Sequence, residues 1–389
     1  MQDNTPRHQN ILTLTILMLS LVTVMTGAAL SPALGQIKAY YSAVHPVFIQ
    51  MILSLPALFI ILVNISFRFI SKRFTSKTIA ITGLSLYVVS GVSGGLAHNI
   101  YILLLTRATI GIGTGLIMPL STGLLGYYFS KDKQGQLMGY SSAMNNIGGI
   151  IGMSLSGLLA SISWRYSFNV YFIGLIVLIL VILFLPSVSM HSKDNFITFA
   201  DIKPHLFPFL CMFLTQVIFY LYITNFAMIS GTNNIFSTSK MGIAMSAQTI
   251  GALITSLLFS RIKILLKHML KYVSVFFFGL SYFLLAEQNS QILTELALFL
   301  NGIGFGLLVP YFNVLVIHHS NKEKAVGLMA IMSMSLYLGQ FSSPLILSLI
   351  RQIFGVEALK FPYYLGVILS LGLLLLLSFI RFTRDHEAS

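Results

Sequence analysis

The sequence predicts an all-α polytopic membrane protein with twelve transmembrane helices in two parallel-repeat six-helix bundles. Three observations support this fold class. The 389 residues are 56% apolar and only 8% charged, whereas a soluble domain carries about 25% charged residues. Apolar runs of about 20 residues recur between short polar breaks, which is the length an α-helix needs to cross a bilayer. Finally, motifs in the first half of the chain recur in the second half.

The apolar runs place six spans in each half. In the first half they are 11–34, 45–67, 78–97, 100–127, 136–160 and 166–187. In the second half they are 205–229, 240–261, 270–287, 292–317, 325–349 and 362–381. The first run is too long for the apolar core of a signal peptide, so we expect it to be a retained helix. A polar linker, 188–204, then separates an N-terminal bundle, 1–187, from a C-terminal bundle, 205–389.

The positions of Lys and Arg predict the orientation. Of the 23 basic residues, 17 lie in one set of alternating loops and tails, five lie in the opposite loops and Arg107 lies inside a span. The positive-inside rule therefore places both termini in the cytoplasm, with the protein multi-pass in the cell membrane. The net charge of +13 is explained as a topology signal, so the lipid bilayer is the expected partner and nucleic acid is not.

An internal repeat relates the two halves by a constant shift of 191 positions. The segment 111–119 reads GIGTGLIMP and the segment 302–310 reads GIGFGLLVP, and further on Gly148 falls on Gly339. Because 191 residues cover six helices, an even number, both copies have the same orientation. Parallel repeats of this kind are a common transporter architecture, in which substrate binds near the midplane where the repeats meet.

Three segments carry a family resemblance. The fourth span contains 107–113, which follows the pattern R-x-x-Q-G-x-G except for Ile110. The fifth span contains 148–157, which approximates G-x-x-x-G-P-x-x-G-G, and 164–168 reads W-R-Y-S-F at the start of the sixth span. With these motifs, nearly the whole chain resembles the major facilitator superfamily, and within it the bacterial twelve-span drug:proton antiporter and sugar-efflux group.

The chain also departs from the family patterns. In the fifth span, Met153 and Ser156 replace the usual Pro and Gly. In the loop 68–77, where the family reads G-x-L-a-D-R-x-G-R-K, only Arg73 and Lys77 match. The resemblance implies a cytoplasmic gating loop at Arg73 and Lys77, although the acidic partner of that loop is absent.

Arg107 is the principal candidate for a transport residue. A guanidinium inside a span costs about 2.5–3.5 kcal/mol on insertion scales, and such residues usually face a cavity and mark a substrate or ion pathway. The resemblance implies a role in proton coupling or substrate binding. The alternative is an arginine near the outer end of its span whose side chain extends to the interface.

Carboxylates are nearly absent from the predicted spans, which bears on the substrate. Only Glu295 lies within a span, about one turn from the outer end of the tenth, where an interfacial role is the alternative. A cavity whose deep charge is positive favours neutral or anionic substrates. Proton coupling would then depend on Glu295, a histidine or an indirect effect on Arg107.

Two further sets of residues are predicted to matter. Amides inside spans are candidates for the substrate pathway, although each is as readily explained by a bond to a neighbouring helix: Asn145, Asn146, Gln216, Asn225, Asn301, Asn313 and Gln340. Glycines inside spans are candidates for close helix packing and conformational change: Gly111, Gly113, Gly115, Gly148, Gly152, Gly157, Gly302, Gly304 and Gly306.

Together these features predict a secondary active transporter that exports a small molecule by alternating access, with protons as the coupling ion. A proton symporter or uniporter that imports a small neutral or anionic nutrient is the alternative. We expect no enzymatic activity, cofactor or metal site, because no nucleophile–base pair, ligand cluster or nucleotide-binding motif emerges from the sequence. The family resemblance implies a functional monomer.

Overall fold

The computed structural model describes residues 6–129, 131–189, 198–233, 235–287, 290–318 and 324–379, and within them all regular secondary structure is helical. Many large apolar side chains lie on the outside of this helical structure, among them Leu183 and Leu375. A water-soluble protein would bury most of that surface, so the chain is a multi-pass membrane protein.

Six membrane-length elements make up the first half. They are Pro6–Ala28, Pro46–Arg73, Ser76–Ser93, Ile100–Tyr128, Lys131–Ala160 and a 3₁₀ segment, Tyr166–Phe172, that leads into Ile173–Phe184. A short 3₁₀ turn, Ser31–Ala33, and the helix Leu34–Tyr40 extend the first span towards the loop that follows it. These bounds agree with the predicted spans to within a few residues at most ends.

Six more elements make up the second half. They are Leu206–Thr232, Thr238–Leu257, Leu270–Glu287, Gln291–His318, Ala325–Phe354 and Phe361–Phe379. The shift of 191 carries Ile100, where the fourth span begins, onto Gln291, where the tenth begins. Of the predicted linker 188–204, residues 190–197 lie outside the described part, and the remainder includes the short helix Phe199–Ile202.

The eighth span differs from its prediction. The expected helix 240–261 ends at Leu257, and a separate helix, Phe259–Leu266, follows it. Eleven helices among the described residues have the length and hydropathy to cross a membrane, and Thr238–Leu257 is not one of them. Lys240, Gln248 and several Ser and Thr residues lower its hydropathy, so length and composition alone do not identify it as a span.

Local sequence signals explain where several helices begin and end. The Thr75 side chain accepts a hydrogen bond from the Thr78 N–H at 3.3 Å, and the Asn99 side chain accepts one from the Tyr101 N–H at 2.7 Å. Both side chains cap N–H groups that have no partner inside the helix. The eleventh span ends at Gly355, whose φ of 62° suits a residue without a Cβ.

The chain divides into two compact units. The first comprises Met1–Lys193 with Ser237–Ile243, and the second comprises Asp194–Phe236 with Ala244–Ser389. The division falls inside the predicted linker, and the beginning of the eighth span groups with the first unit. The same pairs of helices pack together in both units. In the first unit, the first span packs against the fifth, and the third span packs against the fourth and the sixth. In the second unit, the seventh span packs against the eleventh, and the ninth span packs against the tenth and the twelfth.

Candidate functional site

Arg107 is fully buried within the first unit, where it bonds to the third and sixth spans. Its Nη1 donates to the Tyr171 hydroxyl at 3.0 Å, and its Nη2 donates to the carbonyl oxygens of Ser90 and Gly91, both at 3.3 Å. The partners are neutral, so the guanidinium charge is balanced by dipoles of the backbone and a hydroxyl group. Charge-assisted bonds of this kind are stronger than neutral ones.

Aromatic rings complete the surroundings of Arg107. Its guanidinium carbon lies 5.0 Å from the ring centres of both Phe168 and Tyr171, within the range of cation–π attraction. We call this group the arginine socket and define it as Arg107, Ser90, Gly91, Phe168 and Tyr171. The socket joins two of the sequence motifs, because Phe168 is the final residue of the W-R-x-x-F segment.

Glycines in the third span make room for the socket. A Cβ added at Gly91 would lie 2.6 Å from the Tyr171 side chain. A Cβ added at Gly94 would meet the Phe168 ring and would lie 3.0 Å from Arg107 Nη2. Larger residues at these two positions would displace the aromatic rings from the guanidinium.

The structure places Arg107 differently from both sequence-based alternatives. With no exposed surface, the side chain neither lines an open cavity nor extends to the membrane interface. The reason is local: Gly91 and Gly94 open a space beside the third span, and backbone carbonyls there accept the guanidinium protons. Its Nε–H has no hydrogen-bond partner among the described residues. The pathway role of Arg107 stays a prediction.

A second arginine ties together one end of the first unit. Arg165 Nη1 donates to the carbonyl oxygens of Gly95 at 2.8 Å and Ala97 at 2.9 Å. Its Nη2 donates to the Tyr40 hydroxyl at 3.2 Å, and its guanidinium carbon lies 4.6 Å from the Trp164 ring centre. The W-R-x-x-F segment therefore fastens the first, third and sixth spans at one end.

Polar side chains of the first span face the fourth and fifth spans. Three pairs, which we call the hydroxyl ladder, link them: Ser20–Ser141, Thr23–Asn145 and Thr26–Thr114. Their oxygen–oxygen distances are 2.6, 3.2 and 2.7 Å in that order. The first-span members recur every three residues, which places them along one face of the helix. Of the predicted amides, Asn145 thus belongs to a network between helices.

The other predicted amides have varied surroundings. Asn146 Nδ2 donates within its own helix, to the Ser142 carbonyl at 2.9 Å. Asn225 Nδ2 also donates within its helix, to the Leu221 carbonyl at 2.9 Å. Asn313 is half-buried in the tenth span. These contacts fit the helix-bonding alternative for Asn146 and Asn225, and the pathway role of all three stays a prediction.

Besides Asn225, three of the predicted amides are buried in the second unit. Asn301 Nδ2 donates to Ser281 Oγ at 3.0 Å, while its Oδ1 has no partner among the described residues. Gln216 is buried, and its Oε1 likewise has no partner in the described part of the chain. Gln340 in the eleventh span is buried too. The unpaired oxygens of Asn301 and Gln216 are therefore available acceptors inside the helix bundle.

The predicted charged residues other than Arg107 are exposed or half-buried. Glu295 is exposed beside Ile292 and Leu296, which are also exposed, near the beginning of the tenth span. Arg73 is exposed and Lys77 is half-buried at the junction of the second and third spans. The transport role of Glu295 and the gating role of Arg73 and Lys77 stay predictions.

The three glycines of the fourth span lie where other helices come close. A Cβ on Gly111 would lie 2.5 Å from the Pro56 carbonyl oxygen in the second span, and one on Gly115 would lie 2.8 Å from another second-span side chain. A Cβ on Gly113 would lie 2.6 Å from the Gly83 carbonyl oxygen in the third span. Gly111 and Gly115 thus face one neighbour, and Gly113 faces the other.

The tenth span repeats this arrangement. A Cβ on Gly302 would overlap the Gln248 carbonyl oxygen, and one on Gly306 would overlap the Thr255 hydroxyl, both in the eighth span. A Cβ on Gly304 would lie 2.8 Å from a ring carbon of Phe278 in the ninth span. Both spans therefore lie between two neighbours that tolerate no side chain at these positions.

The fifth-span glycines face other helices. A Cβ on Gly148 would overlap the Leu21 carbonyl oxygen of the first span, and one on Gly152 would lie 3.1 Å from Ala29. A Cβ on Gly157 would lie 2.7 Å from the backbone nitrogen of Gly242, which groups with the first unit. The nine predicted glycines are all close-packing positions, while their part in conformational change stays a prediction.

Sequence reasoning missed several partners. Nothing in the sequence alone marks Tyr171 as the acceptor for Arg107, although its position three residues after Phe168 places it one helical turn further on. The first-span hydroxyls were overlooked because Ser and Thr in helices commonly bond to their own backbone. The ion pair between Lys324 and Asp201 in the second unit was also missed. The two residues are far apart in the sequence, and nothing in the sequence indicates that they pair.

Comparison with known proteins gives a family. The family model described as Major Facilitator Superfamily matches residues 16–344 and, in a second match, 208–389. The quinolone resistance protein NorA of Staphylococcus aureus (strain Mu50) is 29% identical over 137 residues, which are 35% of each chain. The uncharacterized MFS-type transporter YcnB of Bacillus subtilis (strain 168) is 31% identical over 129 residues, 33% of this chain and 27% of that protein. These matches span about a third of the relatives' length.

Solved structures share the fold over nearly the whole chain. The nucleoside transporter NupG, in a mutant form, has a TM-score of 0.77 at 14% identity, covering 95% of this chain and 99% of that one. A bacterial homologue of the human lysosomal transporter Spinster, inward-facing and unoccupied, has a TM-score of 0.75 at 14% identity, covering 97% and 96%. A D-xylose–proton symporter has a TM-score of 0.70 at 16% identity, covering 94% and 97%.

Proposed function

Because the chain belongs to the Major Facilitator Superfamily, we propose that this transporter exports a small molecule in exchange for protons. The observation that carries the direction is the similarity to NorA, a quinolone resistance protein, over 137 residues. The glycine-rich fifth span, which resembles the antiporter motif, points the same way. As in other transporters built from parallel repeats, the cycle would proceed by alternating access.

Arg107 is our candidate for coupling, acting as a positioning residue. Four of its five N–H groups lie on Nη1 and Nη2, which bond to the third and sixth spans, and the fifth is on Nε, which has no partner among the described residues. A buried, unpaired donor on a permanently charged group is costly. Movement of the third or sixth span would change the partners of this charge, and a proton or substrate could favour one arrangement over the other.

Glu295 is our candidate for the proton carrier. It lies about one turn inside the tenth span, and its carboxylate is accessible rather than buried. A carboxyl group there would take up a proton on one side of the membrane and release it on the other as the transporter changes state. Because carboxylates are nearly absent from the predicted spans, we propose that the substrate is neutral or anionic.

Export in exchange for protons is tested in everted membrane vesicles with a pH-sensitive dye. A quinolone and a panel of cationic, neutral and anionic compounds are added in turn to energised vesicles. We expect proton release with one or more of them, and we expect Glu295→Gln to abolish it at equal expression. Glu357→Gln, which removes an exposed carboxylate elsewhere in the same half, is the matched control and should respond like the wild type.

Import is the second candidate. Met153 and Ser156 replace the Pro and Gly of the antiporter motif, so the motif supports antiport less firmly than a complete match would. Absence of proton release with every compound, despite normal expression, would contradict export. Uptake into right-side-out vesicles, with and without an imposed proton gradient, would then distinguish a proton symporter from a uniporter.

Two further features belong to the proposal. The distribution of Lys and Arg supports a cytoplasmic location for both termini, and the family resemblance supports a functional monomer. Cysteine accessibility from each side of the membrane tests the first, with single cysteines introduced at exposed positions such as Ser42 and Lys263. Labelling of Ser42→Cys from the cytoplasmic side would contradict the orientation.

A further inference from the structure

The helix Phe259–Leu266, which we call the surface helix, has one face packed and one face open. Its buried face includes Phe259, which forms a core cluster with Leu270 and Leu307. Ile262 and Leu266 pack against the same cluster. The packed face explains why the helix is held against the ninth and tenth spans, but it uses only one side of the helix.

The open face of the surface helix is apolar and basic together. Ile264 is 75% exposed and Leu265 is 81% exposed, among the most exposed large apolar side chains of the described residues. Arg261 and Lys263 are exposed on the same helix, and Lys267 is exposed directly after it. Apolar side chains so exposed next to cations are typical of a helix at a membrane surface.

The charge of this region is not balanced by nearby acidic residues in the sequence. No Asp or Glu occurs anywhere between Ile202 and Ala286. The positive-inside rule accounts for cations in a cytoplasmic loop but not for two adjacent, almost fully exposed aliphatic residues. An anionic lipid supplies both missing partners, because its phosphate attracts the cations and its acyl chains cover the aliphatic side chains.

The first unit carries a similar combination at the related position. Lys72 and Phe74 correspond to Lys263 and Leu265 under the shift of 191, and both are exposed, Phe74 by 53%. Exposed Phe69 and Arg73 lie nearby at the end of the second span. The same mixture of cations and exposed apolar groups therefore follows the second span of each repeat.

We propose that the surface helix is a binding surface for anionic phospholipid. Ile264 and Leu265 enter the boundary between headgroups and acyl chains, and Arg261, Lys263 and Lys267 contact the phosphates. Each such cation contributes about fivefold to the affinity for an anionic membrane surface. The surface thereby fixes the loop between the eighth and ninth spans to the bilayer, independently of what the protein transports.

The test measures lipid preference by native mass spectrometry. The purified full-length protein is titrated in mixed detergent micelles with phosphatidylglycerol and phosphatidylcholine of the same chain length. We expect the wild type to retain phosphatidylglycerol preferentially, and we expect R261Q/K263Q to reduce that preference by at least about fivefold. The double variant K38Q/K240Q, which removes two cations from the opposite set of loops, should keep the preference.

Two further measurements test the apolar contact and the phosphate contact separately. In I264S/L265S we expect weaker retention of both lipids, because the apolar contact serves any acyl chain. Soluble glycerophosphoglycerol should not compete, and competition would show that a free phosphate suffices and would overturn the lipid surface. Equal retention of both lipids by the wild type, or an unchanged preference in R261Q/K263Q, would also overturn it. K263Q replaces the double variant if size-exclusion chromatography shows that the latter is not monodisperse.

Discussion

The two halves of the molecule share a packing scheme but differ in what they place inside it. In one half, the second and third spans pack closely against the fourth span at Gly111, Gly113 and Gly115. In the other half, the eighth and ninth spans pack in the same way against the glycines of the tenth span. The same shift of 191 that relates these glycines relates residues of opposite chemistry a few positions away. The glycines that both halves share therefore set the helix packing, and the residues that differ give each half its own side-chain chemistry.

The first difference lies at position 107. Arg107 forms the centre of the arginine socket, whereas the related residue of the second half, Leu298, is a buried apolar residue. Tyr282, which corresponds to Gly91, is fully buried, and an added Cβ at Gly366 would meet its ring. One half therefore buries a charge where the other buries an aliphatic group and a phenol.

The second difference lies along the first and seventh spans. Thr26 and Thr114 bond through their hydroxyls in the first half, at 2.7 Å. The residue related to Thr114 is Phe305, which stacks on Phe219 with ring centres 4.1 Å apart and planes 22° apart. Hydrogen-bonding groups thus line the contact in one half and aromatic rings line it in the other.

The largest effect on stability is expected from the shared glycines. Gly302→Ala would push a Cβ into the Gln248 carbonyl oxygen, so we expect a loss of about 1–3 kcal/mol or more. Gly111→Ala should behave similarly, because the packing is common to both halves. Thermal unfolding in detergent measures both. Gly372→Ala is the control, since a Cβ there meets nothing within 4 Å; equal melting temperatures for all three variants would contradict the packing scheme.

The next effect concerns the socket and appears in transport rather than in folding. Arg107→Leu gives the first half the residue of the second. Because the second half buries Leu298 at the related position, we expect a folded protein. Loss of charge-assisted bonds worth about 1.5–3 kcal/mol each should reduce transport by at least about tenfold.

Arg107→Lys sharpens the same test. Lysine keeps the charge but lacks the planar group that bonds to two spans and stacks on two rings. We expect it to transport far less than the wild type and to show an altered pH profile of transport, which a purely structural role would not produce. Wild-type transport and pH profile in both Arg107→Leu and Arg107→Lys would exclude a coupling role for the socket.

A smaller effect is expected in the hydroxyl ladder. Thr114→Val removes a bond between helices, and such bonds contribute about 0.6 kcal/mol on average. We expect a slightly lower melting temperature together with a changed preference among polar substrates. Thr109→Val is the matched control, because the Thr109 hydroxyl bonds to the Leu105 carbonyl of its own helix. If Thr109→Val changed the substrate preference as well, a role of the hydroxyl ladder in that preference would be contradicted.

The last effect concerns the entry to the ninth span. Lys267 has φ 47° and is the one non-glycine residue of the described chain with positive φ; the related junction of the first half is capped by Thr75 instead. Lys267→Gly should relieve strain and stabilise the fold by about 1 kcal/mol. Lys267→Ala removes the charge but keeps the strain, so it should not raise the melting temperature. Equal melting temperatures for the two variants would contradict this account.

The sequence predicted helix bounds best where an apolar run is bordered on both sides by polar residues. The ninth span was predicted as 270–287 and is observed as Leu270–Glu287. It was least informative at the eighth span, where polar residues interrupt the apolar run and a second helix follows. The orientation of Arg107 was beyond prediction because it depends on space left by glycines of another span. Likewise, the partners of Thr26 and Ser20 depend on which helices become neighbours.

Proton flux in proteoliposomes tests the central claim most directly, that this transporter couples export to protons through the arginine socket. Purified wild type, Arg107→Leu and the control Leu298→Ala are reconstituted with a pH-sensitive dye inside, and a gradient of a substrate found in the vesicle screen is imposed. We predict proton movement opposite to the substrate for the wild type and Leu298→Ala, and a loss of at least about tenfold for Arg107→Leu. No substrate-driven proton movement in the wild type, or movement in the same direction as the substrate, would contradict the account.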